Sequence, residues 1–224
     1  MKIFDYLAII PARKNSKRIK DKNLQKINKK TLIDITIDEA MKSKKVDFVV
    51  VTSDSKKILD IAKKKGLIGI KRPSKLCNDK SSTEDALLHA IFFLEEKEIF
   101  FKNIILLQPT SPQRTSQDIN NCINKYEKKS ANSIFSGYFS KEFLWQVKGK
   151  LKKSITFNYL QRQRSQNIKP LFFENGAIYI FNCILFKKIK NRIIKPFEIF
   201  EMEKFKSIDL DTVKDLIHLR KIFK

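Results

Sequence analysis

The sequence is short of the residues that most catalytic designs draw on: its 224 positions hold two histidines, three cysteines, five glycines and one tryptophan. With only His89 and His218 to draw on, a hydrolase triad or a multi-histidine metal centre has almost nothing to build from. Both histidines are expected on helix surfaces. Cys77, Cys122 and Cys183 are isolated, odd in number and without metal-ligand spacing, which argues against a disulfide framework and a zinc site. Gly66, Gly69, Gly137, Gly149 and Gly176 form neither the dinucleotide fingerprint nor a Walker A loop, so any phosphate site must use another design. Long apolar runs are missing too. Tyr6–Ile10 and Ile104–Leu107 fall far short of the ~20 residues that a membrane-spanning helix needs. Met1-Lys-Ile-Phe-Asp5 runs straight into the first strand pattern and offers no signal region, so a cytoplasmic location with no membrane partner is expected.

What is present suits one globular domain over residues 1–224. Eighteen Phe and 42% hydrophobic residues supply a core, and no low-complexity tail is set apart from it, which excludes disorder as the main state. The chain carries 47 Lys+Arg against 24 Asp+Glu, a formal charge of +23. Lysine is spread along the whole length together with abundant Ile, Asn and Phe, a pattern that an AT-rich coding bias produces without any polyanionic partner.

Four continuous apolar runs, Leu7–Ile10, Phe48–Thr52, Leu67–Ile70 and Ile104–Leu107, read as central strands of a parallel sheet because both of their faces are apolar. Helical patterns lie between them, over Leu32–Lys42 and Ser55–Lys65, the second stopped by Gly66. Ser81 with Glu84 reads as a capping box ahead of Ala86–Leu94, and Thr115 or Ser116 starts a helix reaching about Tyr126. This alternation predicts an α/β fold with a doubly wound, mostly parallel sheet and helices on both faces. From Tyr138 to Phe172 the pattern breaks into short basic and aromatic pieces, read as an inserted arm. Strand and helix resume with Ala177–Phe181, a short helix over Ile184–Ile189, a strand ending at Ile208 and a final helix over Thr212–Phe223.

Three segments carry chemistry. Pro11-Ala-Arg-Lys-Asn-Ser-Lys-Arg-Ile-Lys-Asp-Lys-Asn23 follows the first strand, where ligands bind in such sheets, and gathers Arg13, Lys14, Lys17, Arg18, Lys20 and Lys22 with Ser16 in one loop suited to a polyphosphate. A solvated basic loop is the alternative. Leu106-Leu-Gln-Pro-Thr-Ser-Pro-Gln-Arg114 ends a buried strand between two prolines and presents Gln108, Thr110 and Ser111. These are neutral groups suited to sugar hydroxyls, or equally a rigid turn capped by its own side chains. In Ser207-Ile-Asp-Leu-Asp-Thr212, extended geometry sends Asp209 and Asp211 to one face and Ile208 and Leu210 to the other. Two converging carboxylates in a cationic chain invite a divalent metal such as Mg²⁺. The alternative makes Asp211 a helix N-cap and Asp209 a turn residue.

The chain resembles the cytidylyltransferases that make CMP-activated nonulosonic acids, CMP-sialic acid synthetases among them. The resemblance rests on Ile10-Pro-Ala-Arg-Lys-Asn-Ser-Lys17 with Lys22-Asn23, Arg72-Pro73 with Asp79-Lys-Ser-Ser82, Leu107-Gln-Pro-Thr-Ser-Pro112 with Arg114, Asn175-Gly-Ala-Ile-Tyr179, and Ser207–Thr212, in the family's order. Asn15 stands where the family often has glycine, a mild departure because asparagine tolerates left-handed backbone. Synthetases for the eight-carbon acid 3-deoxy-manno-octulosonate carry Thr-Arg in place of Ser16-Lys17, so the nonulosonate branch is expected and the eight-carbon acceptor is the alternative.

The resemblance implies roles for these residues. Arg13, Ser16, Lys17 and Lys22 would hold the CTP phosphates, and Asn23, Arg72, Ser81 and Ser82 would contact ribose and cytosine. Gln108, Thr110, Ser111, Asn175 and Tyr179 would line the sugar-acid pocket. Arg164 and Gln166, in Gln161-Arg-Gln-Arg-Ser-Gln166, would approach the substrate carboxylate. Asp209 and Asp211 would bind Mg²⁺ as cofactor, with Arg13, Lys17, Lys22 and Asp211 as the catalytic set. The arm over residues 138–172 resembles the family's dimerisation segment, so a homodimer is expected. A nucleic-acid-binding protein is the rival from another class, yet it would need exposed aromatics along a basic face, whereas most phenylalanines here fall in core patterns. No nucleic-acid partner is expected.

Overall fold

The computed structural model describes residues 2–78 and 81–223. In chain order the strands are β1 (Lys2–Pro11), β2 (Lys26–Ile27), β3 (Lys30–Thr31), β4 (Phe48–Ser53), β5 (Ile68–Lys71), β6 (Ile99–Leu107), β7 (Ser133–Ser140), β8 (Trp145–Lys148), β9 (Leu151–Ser154), β10 (Leu171–Asn182) and β11 (Phe197–Glu201). The helices are α1 (Leu32–Lys42), α2 (Lys56–Lys64), α3 (Thr83–Glu95), α4 (Ser116–Lys129), α5 (Cys183–Ile189) and α6 (Val213–Ile222). Seven strands form one sheet in the order β11-β7-β10-β6-β1-β4-β5. β10 runs antiparallel to both β6 and β7, while the other neighbouring pairs are parallel. The expected mostly parallel sheet with helices on both faces is therefore present.

The continuous apolar runs behave as that arrangement demands. Along β1, Ala8 and Ile10 join the core beneath α1, α2 and α4, while Leu7 and Ile9 join the core shared with α3 and α5. Each strand thus stabilises two layers at once, which is why alternation is absent from its sequence. A third, smaller cluster joins Ile19, Ile27 and Leu32 to Leu210, Leu216 and Leu219. It fixes the loop after β1 and the segment before α6 against each other.

Several boundaries differ from expectation. The capping box of α3 is Ser82 with Asp85, one residue later than Ser81 with Glu84. Asp79 and Lys80 of that motif lie outside the described residues. No strand ends at Ile208. The late strand is β11, an edge strand whose Phe-Glu-Ile-Phe-Glu mixes apolar and acidic positions, and Ile208 instead packs on the third cluster. The arm is shorter than its pattern, since Tyr138–Ser140 pair with Leu171–Phe173 as part of the main sheet. Beyond that pairing stand the β8–β9 hairpin and a small aromatic cluster in which Phe157 meets Phe143 and Trp145 edge-on and Arg162 lies over Phe143 at 4.4 Å. His89 is half-buried rather than superficial, and its Nδ1 has no partner among the described residues. No helix among the described residues is long and apolar enough to cross a membrane.

Candidate active site

Three segments meet at the carboxyl edge of β1, β4 and β6. The loop after β1 continues the ladder by one bond, from Ala12 N–H to the Thr52 carbonyl at 3.0 Å, and then turns away. It folds back on itself where Asn23 Nδ2 donates to the Arg13 carbonyl at 3.0 Å. Lys22 Nζ then crosses to the segment before α6, donating to the Leu210 carbonyl at 3.0 Å and pairing with Asp211 at 3.2 Å. That segment is tied in turn to the loop after β6 by Leu210 N–H to the Thr110 carbonyl at 2.9 Å. Sequence-distant pieces are held by backbone partners, so the site is preformed by the fold.

Between them runs a cleft with two adjoining compartments that share Pro11, Arg13 and Gln108. The larger, about 260 Å³, is lined by Arg72, Leu76, Cys77, Asn78 and the first turn of α3 with Ser81 and Ser82. The smaller, about 170 Å³, is lined by Ser16, Lys22, Asn23, Pro109 and Thr110. Lys17 lines a shallower basin beside them with Ser16, Lys14 and Lys20. The eight residues expected at the nucleotide thus line these two compartments or the basin beside them. A cavity of about 510 Å³ beneath the β2–β3 hairpin and α1 carries no such chemistry, because its carboxylates Asp38 and Glu39 are already paired with lysines.

Arg72 is buried, donating from Nη2 to the Thr52 carbonyl at 2.8 Å. Burial holds its pKa below the usual guanidinium value, Arg13 pushing the same way while Cys77 and Asp54 oppose. Gln108 is set by Gly176, whose φ of +70° belongs to the left-handed region and where an added Cβ would stand 2.7 Å from Gln108 Oε1. Arg114 lies beneath, fully buried, with Nη1 donating to the carbonyls of Gln108 at 3.1 Å and Ala177 at 2.9 Å. Burial lowers its pKa to about 10. Periodicity gave no sign of this strut, since a charged residue after a Pro-rich turn reads as exposed.

Asp209 and Asp211 do face one another electrostatically. Neither carboxylate lines the two compartments; Asp209 is joined to Thr110, which does. Although Asp209 is exposed as a residue, enough protein surrounds its carboxyl that burial raises its pKa above the usual carboxylate range, the Asp211 charge adding to this and the hydrogen bond from Thr110 opposing it. Asp211 pairs with Arg18 at 2.9 Å as well as with Lys22. It is not the N-cap of α6. Thr212 takes that place in a capping box with Asp215, which leaves Asp211 without a helical duty. Among the described residues no group of three or more His, Cys, Asp or Glu is placed to hold a metal.

The remaining expected residues stand elsewhere. Ser111 is buried and its hydroxyl has no partner among the described residues. Asn175 is buried in an irregularity of β10, accepting from the Ser136 hydroxyl at 2.6 Å and donating to Ser207 at 2.9 Å. The Tyr179 hydroxyl donates to Glu174, and the Arg192 guanidinium lies 4.8 Å over its ring. These three line neither compartment. Arg164 and Gln166 are exposed on the arm, away from both compartments.

A family model described as Cytidylyltransferase matches residues 7–222. The chain is 31% identical over 217 residues to CMP-N,N'-diacetyllegionaminic acid synthase of Legionella pneumophila, covering 93% of this chain and 92% of that one. It is 29% identical over 227 residues to N-acylneuraminate cytidylyltransferase of Streptococcus agalactiae, covering 95% of this chain and 52% of the relative, so it spans about half of that longer protein. Among solved structures, CMP:2-keto-3-deoxy-manno-octonic acid synthetase complexed with CTP superposes with a TM-score of 0.70 at 15% identity, over 97% of this chain and 98% of that one, a likeness of fold. A match over residues 7–222 and a relative covered almost end to end thus place the chain in the cytidylyltransferase family, among the synthetases of CMP-nonulosonic acids.

Proposed function

We propose that this cleft transfers the cytidylyl group of CTP to the anomeric hydroxyl of a nonulosonic acid of the legionaminic or neuraminic type. The observation that carries this reading is the sharing of Arg13 and Gln108 by two compartments of different character. One is walled by Arg72 and the hydroxyls of Ser81 and Ser82, suited to ribose and base. The other is walled by Ser16, Lys22 and Thr110, suited to phosphates on one side and a hydroxylated acceptor on the other. The α-phosphate then sits where they join, beside Arg13.

The acceptor oxygen attacks the α-phosphorus in line, the bond to the β-phosphate oxygen breaks, and pyrophosphate leaves. Arg13, Lys17 and Lys22 offset the charge that grows on it, which is where most of the rate comes from. Asp211 is the candidate acceptor of the hydroxyl proton, a role that requires it to give up its pairing with Arg18 and Lys22 when the substrates bind. Gln108 and Thr110 orient the sugar, with Ser111, Asn175 and Tyr179 shaping its wall. Asp209 and Asp211 are hard oxygen donors that would hold Mg²⁺ if Asp211 exchanged its pairing with Arg18 and Lys22 for the metal; a cation there would favour the ionised form of Asp209, which burial first and the Asp211 charge second disfavour. When bound there, the metal supplies Lewis-acid polarisation of the phosphate.

A homodimer completes this reading. Val147, Leu151 and Leu160 on the arm are 65%, 66% and 77% exposed, and a second copy would cover them while its Arg164 and Gln166 approach the acceptor carboxylate. The test is pyrophosphate release with Mg²⁺ across CTP, UTP, ATP and GTP, each with a nonulosonic acid. CTP alone should support turnover. Equal release from UTP or ATP, or none from CTP, would overturn the assignment.

A further inference from the structure

Asp54, immediately after β4, is an acid in a cationic neighbourhood. Its Oδ1 accepts from the Lys14 backbone N–H at 2.7 Å. Its charge reaches Arg72 and Cys77, which line the larger compartment, and Arg13 acts on the same two groups. Lys14 and Asp54 also border a common basin with Asp21, Leu24 and Ser55.

The bond falls at a particular place. β1 pairs with β4 in parallel register up to Pro11 against Thr52, and Ala12 N–H still reaches the Thr52 carbonyl. Two residues later a parallel ladder would call on the main-chain carbonyl of residue 54. The Asp54 side chain accepts instead. The backbone leaves the strand path here, between Arg13 and Ser16, yet stays tied to the sheet. Thr52 and Ser53 carry the other wall at the same point, through Arg72 Nη2 to the Thr52 carbonyl and Arg72 N–H to the Ser53 carbonyl, both at 2.8 Å. A carboxylate beside a polyphosphate site repels the ligand, so its presence needs an offsetting gain. Fixing the loop from which the phosphate-holding groups project is such a gain, and a charge-assisted bond to a backbone donor is among the stronger single ties available.

We infer that Asp54 is a positioning residue, whose hydrogen bond to the Lys14 amide holds the phosphate loop at the end of β4 in the geometry that receives the triphosphate. This rests on the proposed nucleotide cleft and adds a residue outside the set assigned to it. It acts through the loop backbone, so its loss falls on the nucleotide and spares the acceptor.

The experiment compares wild type, Asp54→Ala and Asp54→Asn by steady-state kinetics in both substrates and by amide hydrogen exchange of residues 12–18 without nucleotide, with thermal unfolding as the fold check. In wild type the Lys14 amide should be protected. Asp54→Ala should raise KM for CTP about tenfold, the scale of one charge-assisted hydrogen bond, with KM for the acceptor within about twofold and Lys14 protection lost. Asp54→Asn keeps an acceptor oxygen without the charge and should restore both readouts to within about threefold. The proposal is overturned if Asp54→Ala leaves KM for CTP and the exchange pattern unchanged, if Asp54→Asn is as impaired as Asp54→Ala, or if Lys14 in wild type exchanges like a free amide. Should Asp54→Ala not fold, the asparagine rescue and wild-type exchange still decide it. Absent CTP turnover in wild type would count against the cleft assignment, while the exchange comparison would still judge the tie.

Discussion

The cleft and the arm are built by opposite means. At the cleft, buried or half-buried side chains reach backbone partners from other elements: Arg72 to Thr52, Arg114 to Gln108 and Ala177, and Lys22 to Leu210. On the arm, a two-stranded hairpin and an aromatic cluster stand apart while Trp145, Val147, Leu151, Tyr159 and Leu160 face solvent. A two-stranded ribbon is marginal by itself in water. One chain therefore accounts for the geometry of the cleft, whereas the arm leaves apolar surface that the proposed homodimer would cover.

The carboxylate pair gives the sharpest way to separate site from scaffold. Asp209→Asn and Asp211→Asn should each lower turnover by about a hundredfold or more, as expected when a transition-state contact worth several kcal/mol is lost. Thermal unfolding should move by no more than about 1 kcal/mol, because Asp211 is about half exposed towards both Arg18 and the more sheltered Lys22, and pairs open to solvent contribute ~0–1 kcal/mol. Pyrophosphate release across a Mg²⁺ titration, alongside melting curves, checks this. Near-normal activity and metal dependence in both variants would remove the metal assignment.

Gly176→Ala should act on both counts. Its left-handed backbone costs a non-glycine residue about 1–2 kcal/mol, and the new methyl would collide with Gln108. Stability should fall by that amount, with activity falling further than the melting shift explains. A variant that loses stability but keeps full activity would mean that Gln108 is not needed where it stands.

The arm should respond in reverse. Leu160→Ser with Val147→Ser should leave the monomer's stability within about 0.5 kcal/mol, as exposed substitutions do. Light scattering should meanwhile show the mass drop to that of a single 26.3 kDa chain. A wild type already at that mass at micromolar concentration would mean that the arm folds back on its own subunit.

The smallest effect concerns His89. Burial, with help from the Arg72 charge, holds its pKa below the ordinary 6.5. The unfolded chain therefore binds a proton that the folded one refuses, so stability is complete above about pH 6.5 and declines as pH falls below it. His89→Gln should flatten that decline slightly in melting curves at pH 5–7. An unchanged slope would show that other groups set it.

Much of this was legible before the fold was known, and the exceptions have physical causes. Runs such as Leu7–Ile10 betray central strands because two cores must be served at once. Ile208 and Leu210 mimic a strand because alternating apolar residues can equally plug a small cluster. The residues of the phosphate loop were readable as a group, since a single loop collects them. The struts were not. Arg114 reaches residues 6 and 63 positions away, and Asp54 reaches 40 positions back to Lys14; no local pattern encodes such partners. Asn175 and Tyr179 lie in a motif of the family, yet their partners follow from the register shift between Glu174 and Tyr179 in β10.

The central claim is most directly tested by identifying the product. CTP, Mg²⁺ and separate samples of legionaminic, neuraminic, pseudaminic and 3-deoxy-manno-octulosonic acids are incubated with the protein and followed by phosphorus NMR. One pyrophosphate should appear per CMP-sugar phosphodiester with at least one nine-carbon acid, and the eight-carbon acid should react far more slowly. Turnover confined to the eight-carbon acid, or no phosphodiester with any acceptor, would contradict the claim.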